Sequence, residues 1–416
     1  MFARRVQLFC TCCLVILLPA LSSAAPFDWP QWGGLNRDAI SKETGLLKSW
    51  STNGPPLVWK ARGLGIGHST PTIAAGRIFA MGNRDKTEYV VCLDDQTGKE
   101  LWVTEVGPVR KETNDDPPGP RCSPTVDDKL VFALGRSGDL VCLESATGKE
   151  VWRKDMRKDF GGQVGPFHYC ESPLVDGEKL LCTPGGKNSF VALDKKTGAV
   201  LWQTEVRDGR ATYASPIIVE FGGVRQYIHL LSCGLVGIAA ADGKLLWRHN
   251  KPSSKNNACT QIFRDGLVFA TSGYDPPTAL IQLHSPEKGT FRVEEIFATQ
   301  KMATSYGGMV LFGDHLYGSI GEMLACVELK TGEVIWKERA PGKGSIAAAD
   351  GRMYYRNDRT GAIVLVEPNP KEFVELGRLV PPERSKMPAW AHPVIANGRL
   401  YVRDHDLLLC YDLKQK

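Results

Sequence analysis

A recurring tract of eleven residues constrains the fold of this chain more than any other feature of its sequence. In full copies a small residue is followed by Asp or Glu, then by Thr-Gly, and the tract ends in tryptophan. Trp102, Trp152 and Trp202 end three full copies at intervals of 50 residues, Trp336 ends another, and Trp247 ends a shortened one. Repeats of about 40 to 50 residues are typical of supersecondary units that must stack on one another to bury their sheet faces.

A second signature precedes each tract and raises the number of units to eight. It begins with a small residue, usually followed by proline, and continues into an alternating apolar run, a glycine and a second apolar run. Four units lack a full tryptophan-ending tract or carry a shortened one, so this signature alone sets their positions. The eight units begin at Thr70, Ser123, Ser172, Ser215, Thr260, Gly308, Ser345 and His392.

Each unit contains three or four short runs rich in β-branched and aromatic residues, separated by glycine-centred turns. Such runs predict strands, and Thr-Gly between two of them predicts a hairpin. We therefore expect an all-β fold, an eight-bladed β-propeller of four-stranded antiparallel blades spanning residues 55–416. The order within a blade would be an inner strand, two middle strands and an outer strand whose tryptophan packs between blades.

The two ends of the chain complement each other. The last unit stops at Lys416, shortly after Asp412, and so lacks an outer strand. Residues 57–60 read Leu-Val-Trp-Lys, match the outer strands in pattern and have no blade of their own. Pairing them with the last unit would close the ring and remove two exposed strand edges. Residues 26–54 fall outside the repeat, and we expect an extended strap over the propeller surface.

Residues 1–25 have the pattern of a secretory signal peptide. Arg4 and Arg5 precede an apolar run from Leu8 to Leu18, and small residues follow it. The run is too short for a transmembrane helix, so we expect ordinary export with cleavage after Ala24, a periplasmic or secreted protein and no membrane span in the mature chain.

Charge and cysteine content exclude some classes of function. The formal net charge of +5 falls to +3 without the two signal arginines, and no basic run suggests nucleic acid as a partner. Outside the predicted signal, nine cysteines remain, an odd number that cannot form a closed disulfide set. Cys92, Cys142, Cys326 and Cys410 occupy one repeat position, where another copy has Ala192. This favours a small buried slot over a redox role, which stays open as the alternative.

The Asp/Glu-x-x-Thr-Gly-x-x-x-Trp tract resembles the pyrroloquinoline-quinone (PQQ) type of propeller repeat, over about residues 57–416. Proteins with this repeat include quinoprotein alcohol dehydrogenases, which are enzymes, and the outer-membrane protein assembly factor BamB, a scaffold. The segment from Asp28 to Arg37 and the tract from Glu171 to Gly177 look closer still to secreted propellers of planctomycete-type bacteria. The resemblance implies the fold and leaves both classes of function open.

One position two residues before each unit differs from blade to blade, although the frame around it repeats. It holds His68, Arg121, Cys170, Tyr213, Ala258, Tyr306, Lys343 and Trp390. Such a ring could surround one asymmetric ligand in the axial channel, or the loops could simply have drifted. Neighbouring polar residues of blades three and five would share that face. The candidate ligand-binding residues are His68, Arg121, His168, Tyr169, Glu171, Tyr213, Asn257, Tyr306, Lys343 and Trp390.

We predict a non-catalytic binding or scaffold protein, a monomer that uses its channel and top loops to hold a protein or small molecule. The alternative is a PQQ-dependent oxidoreductase acting on an alcohol or sugar. The resemblance then implies PQQ, calcium and a pair of adjacent cysteines, and the mature chain has no such pair. Glu171 as a base and Asn257 as a calcium ligand can be nominated by residue type alone. No acidic loop has the density of oxygen ligands that calcium takes, so we predict no metal site.

Overall fold

The computed structural model describes residues 27–110, 118–254, 256–273, 278–304 and 306–415. The predicted signal peptide, residues 1–25, lies outside the described residues. Eight sheets of antiparallel strands follow one another along the chain, which confirms the predicted eight-bladed propeller. Within the described ranges all regular structure is β, and no helix is long and apolar enough to cross a membrane.

Two strands precede the blades, β1 (Ile40–Ser41) and β2 (Leu57–Ala61). The strands of the first four blades are β3 (Thr72–Ala74), β4 (Arg77–Arg84), β5 (Thr87–Asp94), β6 (Glu100–Pro108); β7 (Thr125–Asp127), β8 (Leu130–Leu134), β9 (Asp139–Glu144), β10 (Glu150–Asp155); β11 (Leu174–Asp176), β12 (Lys179–Cys182), β13 (Phe190–Asp194), β14 (Val200–Thr204); and β15 (Ile217–Phe221), β16 (Val224–Leu231), β17 (Gly234–Ala239), β18 (Leu245–His249).

The strands of the last four blades are β19 (Ile262–Arg264), β20 (Leu267–Ala270), β21 (Thr278–His284), β22 (Arg292–Thr299); β23 (Met309–Phe312), β24 (His315–Ile320), β25 (Met323–Glu328), β26 (Val334–Glu338); β27 (Gly344–Ala349), β28 (Arg352–Asn357), β29 (Ile363–Glu367), β30 (Val374–Leu379); and β31 (Val394–Ala396), β32 (Arg399–Asp404), β33 (Leu407–Asp412).

The outer strand of the eighth blade comes from the beginning of the chain. Strand β2 pairs antiparallel with β33, with Leu57 opposite Tyr411 and Trp59 opposite Cys410. The sheet order is therefore β2, β33, β32, β31, so the last blade has four strands and β33 is paired on both sides.

The tryptophan and the Thr-Gly turn of the repeat are partners across neighbouring blades. The indole nitrogen of Trp102 donates to the backbone oxygen of Ser145, 3.1 Å away, in the turn of the next blade. The ring also covers Gly148, where an added Cβ would lie 2.5 Å from Trp102 Cε3. The shortened turn of blade four breaks this pattern, and the buried indole nitrogen of Trp202 has no hydrogen-bond partner.

The recurring cysteine position is a packing position. Cys92, Cys142, Cys326 and Cys410 are fully buried, as is Ala192 at the same place in blade three. All nine described cysteines are buried. Burial raises the pKa of the Cys92 and Cys142 thiols to about 12, so they are neutral and unreactive at physiological pH.

The strap expected over the propeller surface takes a different course. Residues 29–41 enter the axial channel from the end where the inner strands finish, and the chain reaches the outside only after them. The backbone of Trp29 exchanges two hydrogen bonds with Ile73 of β3, and β1 pairs in parallel with the inner strand β27. The inner edges of the blades have no other strand to pair with, and this segment supplies backbone partners to them.

Candidate functional site

Residues 29–41, which we call the plug, close one end of the axial channel. The Pro30 oxygen accepts a hydrogen bond from Val126 N at 2.8 Å, and the Ala39 oxygen accepts one from Ala348 N at 2.8 Å. With the Trp29–Ile73 pair, the plug is bonded to inner strands of blades one, two and seven. We call the opposite face of the propeller, toward which the ring positions lie, the top.

Arg37 fixes the plug to two further blades. Its side chain is only 4% exposed, and its guanidinium donates to the backbone oxygens of Ser172 and Pro216, each at 3.1 Å, and of Pro173. These oxygens lie just before the inner strands of blades three and four. Burial lowers the pKa of Arg37 to about 10, so the guanidinium remains a cation at neutral pH.

Trp32 forms the floor of the remaining channel. Its indole nitrogen donates to Thr260 Oγ1 at 2.8 Å, and its ring lies edge-on to His392 with centroids 4.6 Å apart. A small cavity of about 80 Å³ above the indole is also lined by His68, Arg121 and Trp390, so it continues upward into the ring positions singled out above.

The top of the channel widens into a cavity of about 460 Å³, within the range usual for small-molecule sites. Its wall is aromatic and basic, with one carboxylate among the described lining residues. The lining residues are Arg121, Phe167, Cys170, Tyr213, Asn256, Ala258, Tyr306, Lys343, Asp358, Arg359, Arg384, Lys386, Met387, Pro388 and Trp390.

The ring predicted from the repeat frame lies around this channel. Seven of its eight positions line the wide cavity, and His68 lines the small one beneath it. Of the ten candidate binding residues, six therefore face the channel: His68, Arg121, Tyr213, Tyr306, Lys343 and Trp390.

The other four candidates do not line either cavity. The Tyr169 hydroxyl donates to the Pro184 oxygen in the core, and the Asn257 amide donates to the Leu231 oxygen while wholly buried. His168 has a positive φ of 64°, and Glu171 is turned toward the core. For Tyr169, Glu171 and Asn257 the alternation of side chains along an extended chain explains the division, since Cys170 and Asn256 line the channel and the residues next to them face away, whereas His168 lies in a turn with positive φ.

Glu171 belongs to a buried pair below the channel wall. Its Oε2 lies 3.6 Å from Nε2 of His229, and its Oε1 accepts a hydrogen bond from Thr183 N at 2.8 Å. Burial raises the pKa of Glu171 to about 8 and lowers the pKa of His229 to about 3. Both side chains are therefore held neutral at pH 7, an arrangement that suits a packed interior.

Aromatic rings and cations alternate around the wide cavity. The Trp390 ring lies between His68 and Tyr306, with centroid distances of 4.6 Å and 4.9 Å. The Arg121 guanidinium lies 5.7 Å from the Trp390 centroid, and Lys343 Nζ lies 5.0 Å from that of Tyr306. These contacts hold the rings and the charges at fixed places in the wall.

Three buried polar atoms of the lining residues have no hydrogen-bond partner in the protein. The Tyr306 hydroxyl donates to Oδ2 of Asp358, which leaves Asp358 Oδ1 unpaired. Asn256 Oδ1 and His68 Nε2 are unpaired as well. Burial and nearby cations lower the pKa of His68 well below its usual value, so its imidazole is neutral. Buried polar atoms are nearly always bonded, and these three are available to a ligand or to water.

Part of the wall comes from residues outside the repeat frame. Arg384, Lys386, Met387 and Pro388 belong to the loop between β30 and β31, and Asp358 and Arg359 follow β28. The only sequence signal for the loop was the length of the gap between the outer strand of blade seven and Trp390. Other blades have a turn and a loop at the same two places, but the residues there do not repeat, so the repeat frame did not point to these side chains.

The described residues of the wall lack two features that the resemblance implies for a quinone and calcium site, the adjacent cysteines and a cluster of calcium ligands. Cys170 is the one cysteine among the described residues that line the cavity, and Asp358 is the one carboxylate, with Oδ2 bonded to Tyr306 and Oδ1 unpaired. Glu171 and Asn257, nominated as base and calcium ligand, point elsewhere. Across the described parts of the chain, no group of three or more His, Cys, Asp and Glu side chains could hold a metal ion.

Solved structures with a similar fold include two dehydrogenases and a designed protein. The quinohemoprotein alcohol dehydrogenase from Comamonas testosteroni superposes with a TM-score of 0.64 and 12% identity, over 94% of this chain and 81% of that chain. A europium-containing methanol dehydrogenase gives 0.61 and 11%, over 92% and 90%. The computationally designed Ika8 protein gives 0.59 and 10%, over 86% and 100%. At these identities the likeness concerns the fold.

The sequence itself carries the family relationship. No curated protein matches the chain. The family described as outer membrane protein assembly factor BamB matches residues 86–338, more than half of the chain, and this region contains five of the tryptophan-ending tracts. The protein therefore belongs to this family of PQQ-like repeat propellers.

Proposed function

We propose that this protein is an exported, non-catalytic binding protein that holds a ligand in the top cavity of its axial channel. The observation that carries the proposal is the one-ended channel: the plug and Trp32 close the bottom, and a cavity of about 460 Å³ opens at the top. A cavity that is closed at the bottom and lined by aromatic and basic residues suits retention of a ligand rather than its passage through the ring.

The chemistry of the wall supports binding over catalysis. General acid–base work needs a titratable group with a suitable pKa within reach of the substrate. Among the described residues that line the wide cavity the one carboxylate is Asp358, whose Oδ2 accepts a hydrogen bond from the Tyr306 hydroxyl, and His68 in the small cavity beneath is held neutral. Cations and aromatic rings make up most of the remaining wall, and these groups recognise and orient a ligand.

A ligand-observed NMR screen of small acids, sugars and aromatic compounds against the mature protein tests the binding role. We expect hits that are lost in the Trp390→Leu variant, which removes the flat ring while keeping an apolar side chain. A screen in which no hit depends on Trp390 would contradict the proposal.

The alternative, a PQQ-dependent oxidoreductase, is tested in parallel. We expect the protein, mixed with PQQ and calcium, to leave a redox dye unreduced in the presence of alcohols and sugars. Dye reduction above the protein-free control would replace the binding role with the enzymatic one.

Export is tested separately by sequencing the amino terminus of protein recovered from the periplasm, which we expect to begin at Ala25.

A further inference from the structure

We infer that the ligand of the top cavity is an acidic saccharide, one or two sugar rings that carry a carboxylate. The inference rests on the proposed binding role and specifies its ligand. Three properties of the wall lead to it: uncompensated positive charge, flat aromatic surface and unpaired hydrogen-bond acceptors.

The positive charge of the cavity wall favours an anionic ligand. Lys343 and Lys386 have no carboxylate partner among the described residues, and Arg384 is bonded to backbone oxygens only. Arg359 pairs with an acid at the rim, Glu322 at 3.2 Å. Charge-assisted hydrogen bonds from ammonium and guanidinium groups to a carboxylate are strong and fix its position.

The aromatic surface of the cavity wall favours a ligand with a flat apolar face. Trp390 and Tyr306 lie side by side with a centroid separation of 4.9 Å and form one continuous wall. The C–H face of a pyranose ring packs well on such a surface, and so does a planar aromatic compound. The aromatic wall alone does not distinguish these two classes.

The unpaired acceptors distinguish them. Asp358 Oδ1 and Asn256 Oδ1 are buried, have no hydrogen-bond partner among the described residues and need a hydrogen-bond donor. Sugar hydroxyls supply several donors, whereas a planar aromatic acid supplies few or none. A neutral sugar would satisfy the acceptors and leave Lys343 and Lys386 unpaired. An acidic saccharide satisfies the cations, the aromatic wall and the acceptors together.

Isothermal titration of the mature protein with digalacturonate, with neutral digalactose and with 2,6-naphthalenedicarboxylate tests the inference. We expect digalacturonate to bind at least tenfold more tightly than the other two. The Lys343→Met and Lys386→Met variants should each weaken the binding of digalacturonate by about tenfold, the usual effect of losing one charge-assisted hydrogen bond. Lys99→Met is the control, because Lys99 is exposed in a turn of blade one at the opposite face.

The outcomes separate the inference from the proposed function. Equal binding of digalactose and digalacturonate, or preferential binding of the naphthalene acid, would overturn the acidic saccharide while binding in the cavity stands. Digalacturonate binding that Lys99→Met weakens as much as Lys343→Met would place the anion outside the cavity and overturn the inference. If none of the three compounds binds, the inference falls, and the Trp390-dependent screen then decides whether the binding role falls with it.

Discussion

The contact between a tryptophan and the turn glycine of the next blade can be tested by one added methyl group. Gly148→Ala places a Cβ 2.5 Å from Trp102 Cε3 and 2.6 Å from Thr104 Oγ1. Gly177→Ala is the matched control, since Gly177 also has a positive φ, 59° against 73° for Gly148, but a Cβ there meets nothing within 4 Å.

Both variants place an alanine in a strained backbone conformation, and only Gly148→Ala also creates a steric clash. An alanine in the left-handed region costs about 1–2 kcal/mol, partly offset by about 0.4–1 kcal/mol from a less flexible unfolded chain. We therefore expect Gly177→Ala to lower the free energy of unfolding by about 1 kcal/mol. At Gly148 the ring of Trp102 must also move, and overpacking of this kind adds about 1–3 kcal/mol.

Urea denaturation followed by tryptophan fluorescence measures both variants on the full-length mature protein. The additional cost of Gly148→Ala should shrink in a Trp102→Leu background, because the ring that the methyl group displaces is then gone. Equal destabilisation by Gly148→Ala and Gly177→Ala would refute the idea that the tryptophan and the turn glycine hold neighbouring blades together.

Three further predictions concern the ring closure, the plug and the buried carboxyl. Removing all residues before 62 deletes β2 and the plug, and we expect the melting temperature to fall steeply; a truncated protein that melts like the full-length one would contradict the closure. Arg37→Met leaves the Ser172 and Pro216 oxygens buried without their donor, and it should lower the free energy of unfolding by about 2–4 kcal/mol in urea titrations, whereas an unchanged midpoint would contradict the role of Arg37. The Glu171 pKa of about 8 lies above the unfolded value of 4.5, so its contribution to stability is complete below pH 4.5 and is lost as the pH rises toward 8. Glu171→Gln should therefore reduce the loss of stability between pH 5 and pH 9, and identical pH profiles for the variant and the parent would contradict this.

The blade architecture was predictable because each blade repeats the same local chemistry. Apolar alternation, Thr-Gly turns and a terminal tryptophan recur in several copies, so a weak copy such as blade five could be placed by comparison with stronger ones. The unpaired strand before Thr70 and the incomplete last blade also fit each other in pattern alone.

The candidate site was predictable only in part, because only some of its residues occupy positions that the repeat aligns. Positions aligned by the repeat, such as Tyr306 and Trp390, lie around the channel. Tyr169, Glu171 and Asn257 were chosen by residue type, and the alternation of side chains in an extended chain turns them into the core. The loop with Arg384 and Lys386 joins an outer strand to the next inner strand, as in other blades, but its residues do not repeat there, so no internal comparison pointed to them.

The sequence by itself therefore determined the number of blades, the order of their strands and the ring of divergent positions, because periodic local signals specify them. Only the tertiary structure decided the course of residues 29–41 and the composition of the cavity wall. The plug has no repeat to be aligned with, and its place depends on hydrogen bonds from Arg37 and Trp32 to blades 135 to 228 residues away. Those blades converge on one axis only when all eight are assembled.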